Sequence, residues 1–347
     1  MQQFTAAQLK RAAGAIFNAA GAPQDIADFV AGSLVLSNLM GHDSHGVIRV
    51  PRYVEQIREG QLKPAARPET VKETPTTATV SGRWGFGQVA ARYGAEVAIR
   101  KAKEAHVAVV CLVELNHIGR LGEYSAMMAE QGIVGMLVTG GWRPPIAGVA
   151  PFGGAGRALG TNPYSFAVPT AKRDMVLVDF ATSVLAEGKL QVARAKGTPL
   201  PAGVILDKNG NPSTNAEDFY AGGVILPVGG HKGYALSLMA DLLGATLPGA
   251  EARGHDWNQT GTFMLAIDVE AFRPLAEFTA AVDHRLGEIK DVPPAPGFKE
   301  VLIPGEPEMR SKAEREKSGI PLPEATWNAI VATGQKLGLD VNALAGA

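Results

Sequence analysis

Apolar residues recur every three to four positions through residues 5 to 40, a spacing that predicts two amphipathic helices. Thr5 stands where it can cap the first and Gly21 where it can end it. Pro23 lies near the start of the second, which runs through "DIADFVAGSLVLSNLM" and stops at Gly41. Pro51 is tolerated in the first turn of a short helix, "RYVEQIREG". "QLKPAARPETVKETPT" is polar and proline-containing, and reads as a connecting arm. From "TATVSG" (77 to 82) onward the pattern changes. Unbroken apolar runs, "VAVVCLVEL" and "IVGMLVTG", read as buried strands and alternate with the helical stretches "GQVAARYGAEVAIRKAKEA" and "GEYSAMMAEQG". Further strands are expected at "YSFAVP", "MVLVDFA" and "TFMLAID", with helices at 186 to 196, 231 to 246 and 274 to 290. "ATWNAIVATGQKLG" is a last amphipathic helix. The alternation predicts an α/β fold: an N-terminal helical segment over 1–75, an α/β core over 76–300 and a C-terminal helical segment over 301–347.

Composition narrows the class. A chain of 347 residues, 46% apolar and 19% charged, buries a large core and is neither disordered nor fibrous. A net charge of −1 with both signs interspersed gives no electrostatic basis for nucleic acid or an anionic membrane. The single cysteine, Cys111, excludes an intramolecular disulfide and a CxxC-type zinc site. The start reads as an amphipathic helix and not as a secretory signal, and no apolar run approaches membrane-spanning length. A cytoplasmic protein is expected.

Two glycine clusters invite a dinucleotide reading. Gly85, Gly87 and Ala90 spell G-x-G-x-x-A, with Glu114 ending the next strand about where a ribose-binding acid is sought. The feeding strand is short and polar, however, and three residues intervene before Gly85, so a structural role is expected. Gly154 and Gly156 are followed by Pro163 and strand-like residues instead of a helix.

Polar groups with chemistry collect where elements end. "GHDSHGVIRVPRYV" carries His42, Asp43, Ser44, His45, Arg49 and Tyr53, while His117 follows a buried strand in "NHIGR". The histidines and Asp43 could ligate a metal, as in a hydrolase or lyase, but the spacing lacks any H-E-x-x-H-like regularity and no metal is expected. Acid–base chemistry beside a carboxylate is the other reading. Imidazole exchanges a carbinol proton near neutral pH, and a guanidinium grips a carboxylate in two parallel bonds. Arg49 falls one helical turn after His45, and Tyr53 one turn beyond that. "GGHKGYALSLMADLLG" is a phosphate candidate, with Gly229 and Gly230 before a helix N-terminus and Lys232 adding positive charge. Asp179 ends an apolar strand, where an acid needs a partner, a ligand or a turn to cap.

The ordered set "GHDSHGVIRVPRYV", "NHIGRLGEY", "APFGGAGRALGTNPYSFAVP", "LVDFATSVLAEGKLQVARAKG", "GGHKGYALSLMADLLG" and "LIPGEPE" resembles the malate/L-lactate dehydrogenase family of NAD(P)-dependent oxidoreductases. The motifs "GHDSHG", "HIGR" and "HKGYAL" are most similar to its hydroxycarboxylate dehydrogenase B branch; other branches reduce cyclic imines or sulfolactate. The resemblance implies a mixed-sheet, non-Rossmann cofactor domain, C-terminal helices packing back on the N-terminal part, a homodimer, and a small 2-oxo or 2-hydroxy acid as substrate. A cyclic 2-imino acid is the alternative substrate. By the same resemblance His45 and His117 are the catalytic histidines, with His45 preferred as proton donor; during reduction an imidazolium would deliver the proton to the developing alkoxide. Arg49 would hold the substrate carboxylate, with Ser44, Tyr53 and Thr161 lining its pocket. NAD or NADP would contact His45, Gly119, Arg120, Leu121, Leu177, Val178, Asp179, Phe180, Ala181, Lys232, Gly305 and Glu306. "TGGWRPPIAG", with Trp142 and Arg143, is expected near the substrate side chain.

Overall fold

The computed structural model describes residues 2–143, 147–172 and 174–346. Pro144, Pro145 and Ile146, inside the expected selectivity segment, lie outside the described residues.

Helices α1 (Ala6–Ala19) and α2 (Gln24–Leu39) form as the periodicity requires. Thr5 caps α1 in a reciprocal capping box: its hydroxyl accepts from Gln8 N at 3.2 Å and its own N donates to Gln8 Oε1 at 2.8 Å. A third helix, α3 (Val50–Arg58), carries proline in its first turn. These helices share one core with the far end of the chain. Strand β1 (Gln2–Phe4) pairs antiparallel with Ile320–Leu322, and Phe4 packs on Trp327 with ring centroids 4.3 Å apart. Ile330, Val341 and Ala345 complete that core.

The central sheet has seven strands. With β2 (Glu69–Glu73), β3 (Thr77–Ser81), β4 (Val107–Val113), β5 (Ile133–Gly140), β6 (Tyr164–Val168) and β7 (Val176–Phe180), its order is β2-β3-β4, then Gly261–Asp268, then β5-β6-β7. Only β3 and β4 are parallel, joined through α4 (Gly87–Ala105); every other neighbouring pair is antiparallel. Strand Gly261–Asp268 comes late in the chain yet lies between β4 and β5, setting Phe263 opposite both Cys111 and Val138. This is a mixed sheet with a single parallel step, unlike a doubly wound dinucleotide fold. Helix α5 (Gly122–Glu130) follows β4 and packs beneath β5 and β6.

Three features depart from the sequence reading. The polar arm contains β2, whose residues are mostly exposed; an edge strand of Glu, Thr and Lys carries no apolar alternation to betray it. The helix from His231 keeps α geometry only to Asp241 and widens to a π turn over Leu242–Thr246, where Gly140 and Gly244 let strand and helix backbones touch. The charged helix Glu306–Ser318 has no buried residue and so no apolar face to predict it. Among the described residues no helix is long and apolar enough to cross a membrane.

The G-x-G-x-x-A motif proves structural. A Cβ on Gly87 would stand 2.3 Å from the Asn116 carbonyl oxygen and 2.4 Å from that of His117, so glycine lets α4 begin against the loop after β4. Gly87→Ala should therefore destabilise the fold by about 1–3 kcal/mol through overpacking against backbone. Gly32→Ala, in α2 with open space around the position, should stabilise it by about 0.5–1 kcal/mol. Urea unfolding midpoints of the two variants check the contrast in sign.

Candidate active site

After α2 ends, two short 3₁₀ turns, Asp43–His45 and Val47–Arg49, lead into α3. Side chains from elsewhere lock this loop. Asn38 Nδ2 donates to Asp43 Oδ1 at 2.7 Å, and Val47 N donates to Asn38 Oδ1 at 2.9 Å. Gly46 must be glycine here, since a Cβ would meet the Asn38 amide at 2.2 Å. Arg315, on the charged C-terminal helix, donates to both Asp43 carboxylate oxygens at 2.6 and 3.1 Å and to the Asn38 carbonyl at 2.5 Å. His42 Nε2 lies 3.5 Å from Glu308 on the same helix. The loop thus hangs between two ends of the chain.

That clamp fixes the reactive groups. His45 Nδ1 is 3.0 Å from Ser44 Oγ, and Arg49 Nε donates to the Ser44 carbonyl at 2.7 Å. No hydrogen bond among the described residues engages the two terminal nitrogens of Arg49, which leaves them to receive an anion. His117 arrives from the loop after β4. Its neighbour Asn116 anchors that loop by donating from Nδ2 to the carbonyls of Gln61, Trp84 and Gly85 at 3.2, 3.0 and 3.1 Å. The His45 and His117 rings stack with centroids 5.4 Å apart and planes at 26°. Tyr53 Oη lies 2.7 Å from His117 Nδ1 and accepts from Gln88 Nε2 at 2.8 Å.

The electrostatics are those of crowded cations out of water. Burial first, then the Arg49 charge, holds His45 down to about 3. The same two causes hold His117 well below the usual imidazole value. Burial pushes the Tyr53 phenol up to about 12. Both imidazoles are therefore neutral near pH 7.

The expected dinucleotide contacts divide. Gly119 takes a left-handed φ of +78° and leads into Arg120, buried, whose Nε and Nη1 find no hydrogen-bond partner among the described residues. Asp179, at the end of β7, accepts from Gly122 N at 2.6 Å and stands 3.9 Å from Arg120 Nη1. It thereby caps the first turn of α5; burial raises its pKa while the Arg120 charge opposes that shift. Gly305, at φ +100°, lies against Leu177, where a Cβ would come within 3.0 Å, and Leu177 N donates to the Pro304 carbonyl at 3.0 Å. Three separate stretches, 119–122, 177–181 and 304–305, therefore lie side by side. Orphaned arginine donors and a glycine backbone fit them to an extended anionic ligand. Val178, Phe180 and Ala181 are partly or largely exposed on that strand end, and Leu121 is buried beneath it.

Other expected residues sit apart. The Glu306 carboxylate accepts from Lys290 at 2.7 and 2.9 Å and from Ile303 N at 3.1 Å, a structural use of the acid. The Thr161 carbonyl accepts from Thr182 N at 2.9 Å. Lys232 is exposed, and no hydrogen bond or ion pair among the described residues ties it to the histidines. Gly229 and Gly230 border a cleft of about 460 Å³ shared with Phe152, Gly153, Gly154 and Leu226, so the 153–154 and 229–230 glycines face one opening. Arg143 is held by Asp241 at 2.8 and 2.9 Å, and Trp142 packs against Gly160. Among the described residues no group of three or more His, Cys, Asp or Glu side chains converges as a metal ion requires. Sequence reasoning missed Asn38, Gln88, Asn116, Glu308 and Arg315. Gln88 alone carried a signal, a polar residue in the first turn of α4 inside the discounted glycine motif.

Known proteins resemble this chain over most of its length. The family model described as malate/L-lactate dehydrogenase matches residues 4–331. A malate dehydrogenase from Pyrococcus horikoshii is 37% identical, the alignment covering 92% of this chain and 91% of the relative. Hydroxycarboxylate dehydrogenase B from Escherichia coli is 34% identical, with 97% and 95% covered. The solved sulfolactate dehydrogenase from Methanocaldococcus jannaschii superposes with a TM-score of 0.90 at 34% identity, covering 99% of both chains.

The depressed histidines carry a stability consequence. Below the ordinary imidazole value of about 6.5 the unfolded chain binds protons that folded His45 and His117 refuse. Stability is therefore lost as pH falls from about 6.5 toward the folded value of His45, about 3. Urea midpoints between neutral and mildly acid pH should fall more steeply for the wild type than for a His45→Asn, His117→Asn double variant.

Proposed function

The chain belongs to the malate/L-lactate dehydrogenase family, whose members are NAD(P)-dependent hydroxyacid oxidoreductases, and from that premise we propose a site for 2-oxo and 2-hydroxy carboxylic acids centred on His45, His117 and Arg49. The observation that carries the reading is the stacking of two neutral imidazoles beside a guanidinium whose terminal nitrogens are unengaged. Arg49 receives the substrate carboxylate in a paired bond, which turns the adjacent C2 oxygen toward the imidazoles. Ser44 and Tyr53 hold the two rings in place from their outer edges; Thr161 is assigned to the pocket on the family resemblance alone. NAD or NADP, when bound, exchanges the hydride with C2. Its holders are the 119–122, 177–181 and 304–305 stretches, with Lys232 and Glu306 at the margins.

A neutral imidazole suits the oxidising direction, where it takes the hydroxyl proton. In the reducing direction the bound carboxylate offsets the Arg49 charge, one of the causes that keeps His45 neutral. Substrate binding then raises the imidazole pKa and draws in the proton that the developing alkoxide needs. In this reading segments 1–75 and 301–347 supply the substrate loop and its clamp, and 76–300 supplies most of the cofactor cradle. We also assign a cytoplasmic homodimer. The apolar side chains Leu236, Met239, Leu242 and Leu247, 40 to 60% exposed along one helix and its π turn, support a second copy as cover.

Absorbance assays with NADH and NADPH against 2-oxo acids, with a cyclic 2-imino acid as competitor, should show oxo-acid reduction. Turnover of the imine alone would reassign the substrate. His45→Ala should abolish turnover with dinucleotide binding nearly intact, whereas near wild-type rates in both His45→Ala and His117→Ala would remove the assignment. Arg49→Lys should raise KM by about tenfold or more with a smaller effect on kcat, because lysine makes no paired bond. Sedimentation at micromolar protein should give a dimer.

A further inference from the structure

Gln88 lies in the first turn of α4, fully buried, and its side chain has one partner. Its Nε2 donates to Tyr53 Oη at 2.8 Å, while its Oε1 is buried without a partner among the described residues. An amide nitrogen has only protons to give. It therefore fills a lone pair on the Tyr53 oxygen and leaves the phenol proton to be passed onward. The neighbouring acceptor is His117 Nδ1 at 2.7 Å. Tyr53 keeps its own proton, since burial makes the phenolate harder to form. A ring nitrogen that accepts carries no hydrogen, so the proton of His117 must sit on Nε2.

We propose that Gln88 is a positioning residue that, acting through Tyr53, holds His117 as a neutral imidazole with its proton on Nε2. The groups facing this ring are His45 and Arg49 from the early loop and Tyr53 from α3, so among the described residues no carboxylate faces Nδ1 to stabilise a proton there. The consequence for catalysis, which rests on the functional reading above, is a division of labour. His117 offers an N–H that holds the C2 oxygen and the alkoxide developing there, but cannot also act as the proton store. His45 pairs through Nδ1 with the Ser44 hydroxyl, a rotor that can donate or accept, so His45 is the ring free to gain and lose a proton.

Histidine-selective nitrogen-15 labelling and long-range proton–nitrogen spectra of the ligand-free full chain test this directly, with the His117 signals assigned by their loss in His117→Gln. The wild type should show a single neutral form protonated on Nε2. Gln88→Met, which keeps the length but removes the N–H, frees the Tyr53 oxygen to accept; the Nδ1–H form should rise about tenfold, the weight of one ordinary hydrogen bond. An Nδ1–H form in the wild type overturns the proposal, as does a Gln88→Met spectrum identical to the wild type. Should Gln88→Met fail to fold, Gln88→Leu, which also lacks the N–H, takes its place, with the same rise expected and an unchanged spectrum overturning the proposal. Neither substrate nor dinucleotide is added, so failure of the oxidoreductase assays and failure of this inference are separate results.

Discussion

One cleft cannot hold a guanidinium and two imidazolium rings at once when most of their surface is out of water. Arg49 keeps its charge because guanidinium does not give up its proton in a protein, so His45 and His117 lose theirs. Everything nearby accommodates that choice. The Ser44 carbonyl takes one Arg49 donor, the Ser44 hydroxyl meets His45, and the Tyr53 phenol meets His117. The result is a site where Arg49 presents beside the reactive rings a positive charge suited to an anionic substrate.

Keeping these groups in register is the work of distant parts of the chain. Asp43 and Arg315 are 272 residues apart, yet their paired bond ties the histidine loop to the C-terminal helix. A half-exposed ion pair of this kind adds little stability. Its value is geometric, because it works with Asn38 to leave the loop one conformation. The sheet does the same for the other half of the site. Strand Gly261–Asp268, inserted between β4 and β5, completes the hydrogen bonding of both and fixes where β4 ends, hence where His117 emerges.

Several local features were legible in the residues. The helices at 5 to 40 show in their apolar spacing, the buried strands in unbroken apolar runs, and the α1 cap in Thr5 followed by Gln8. The loop at 41 to 53 stood out because its polar groups serve no core. The edge strand Glu69–Glu73 and the helix Glu306–Ser318 were hidden, since neither buries an apolar face. Glu306 and Asp179 illustrate a different gap. Both are acids in motifs of interest, and both turn out to be occupied, one by Lys290 and the other by the first turn of α5.

What the sequence by itself determined is which residues had to be inside, roughly where the strongly periodic elements lie, and which side chains carried chemistry without a packing reason. Periodicity and capping act over a few residues, and a single chain records them directly. Only the tertiary structure decided that His45 and His117 stack, that Tyr53 and Gln88 stand behind one of them, and that both rings rest neutral. Those facts depend on burial and on charges brought together from separate elements, and neither quantity exists until the chain has folded.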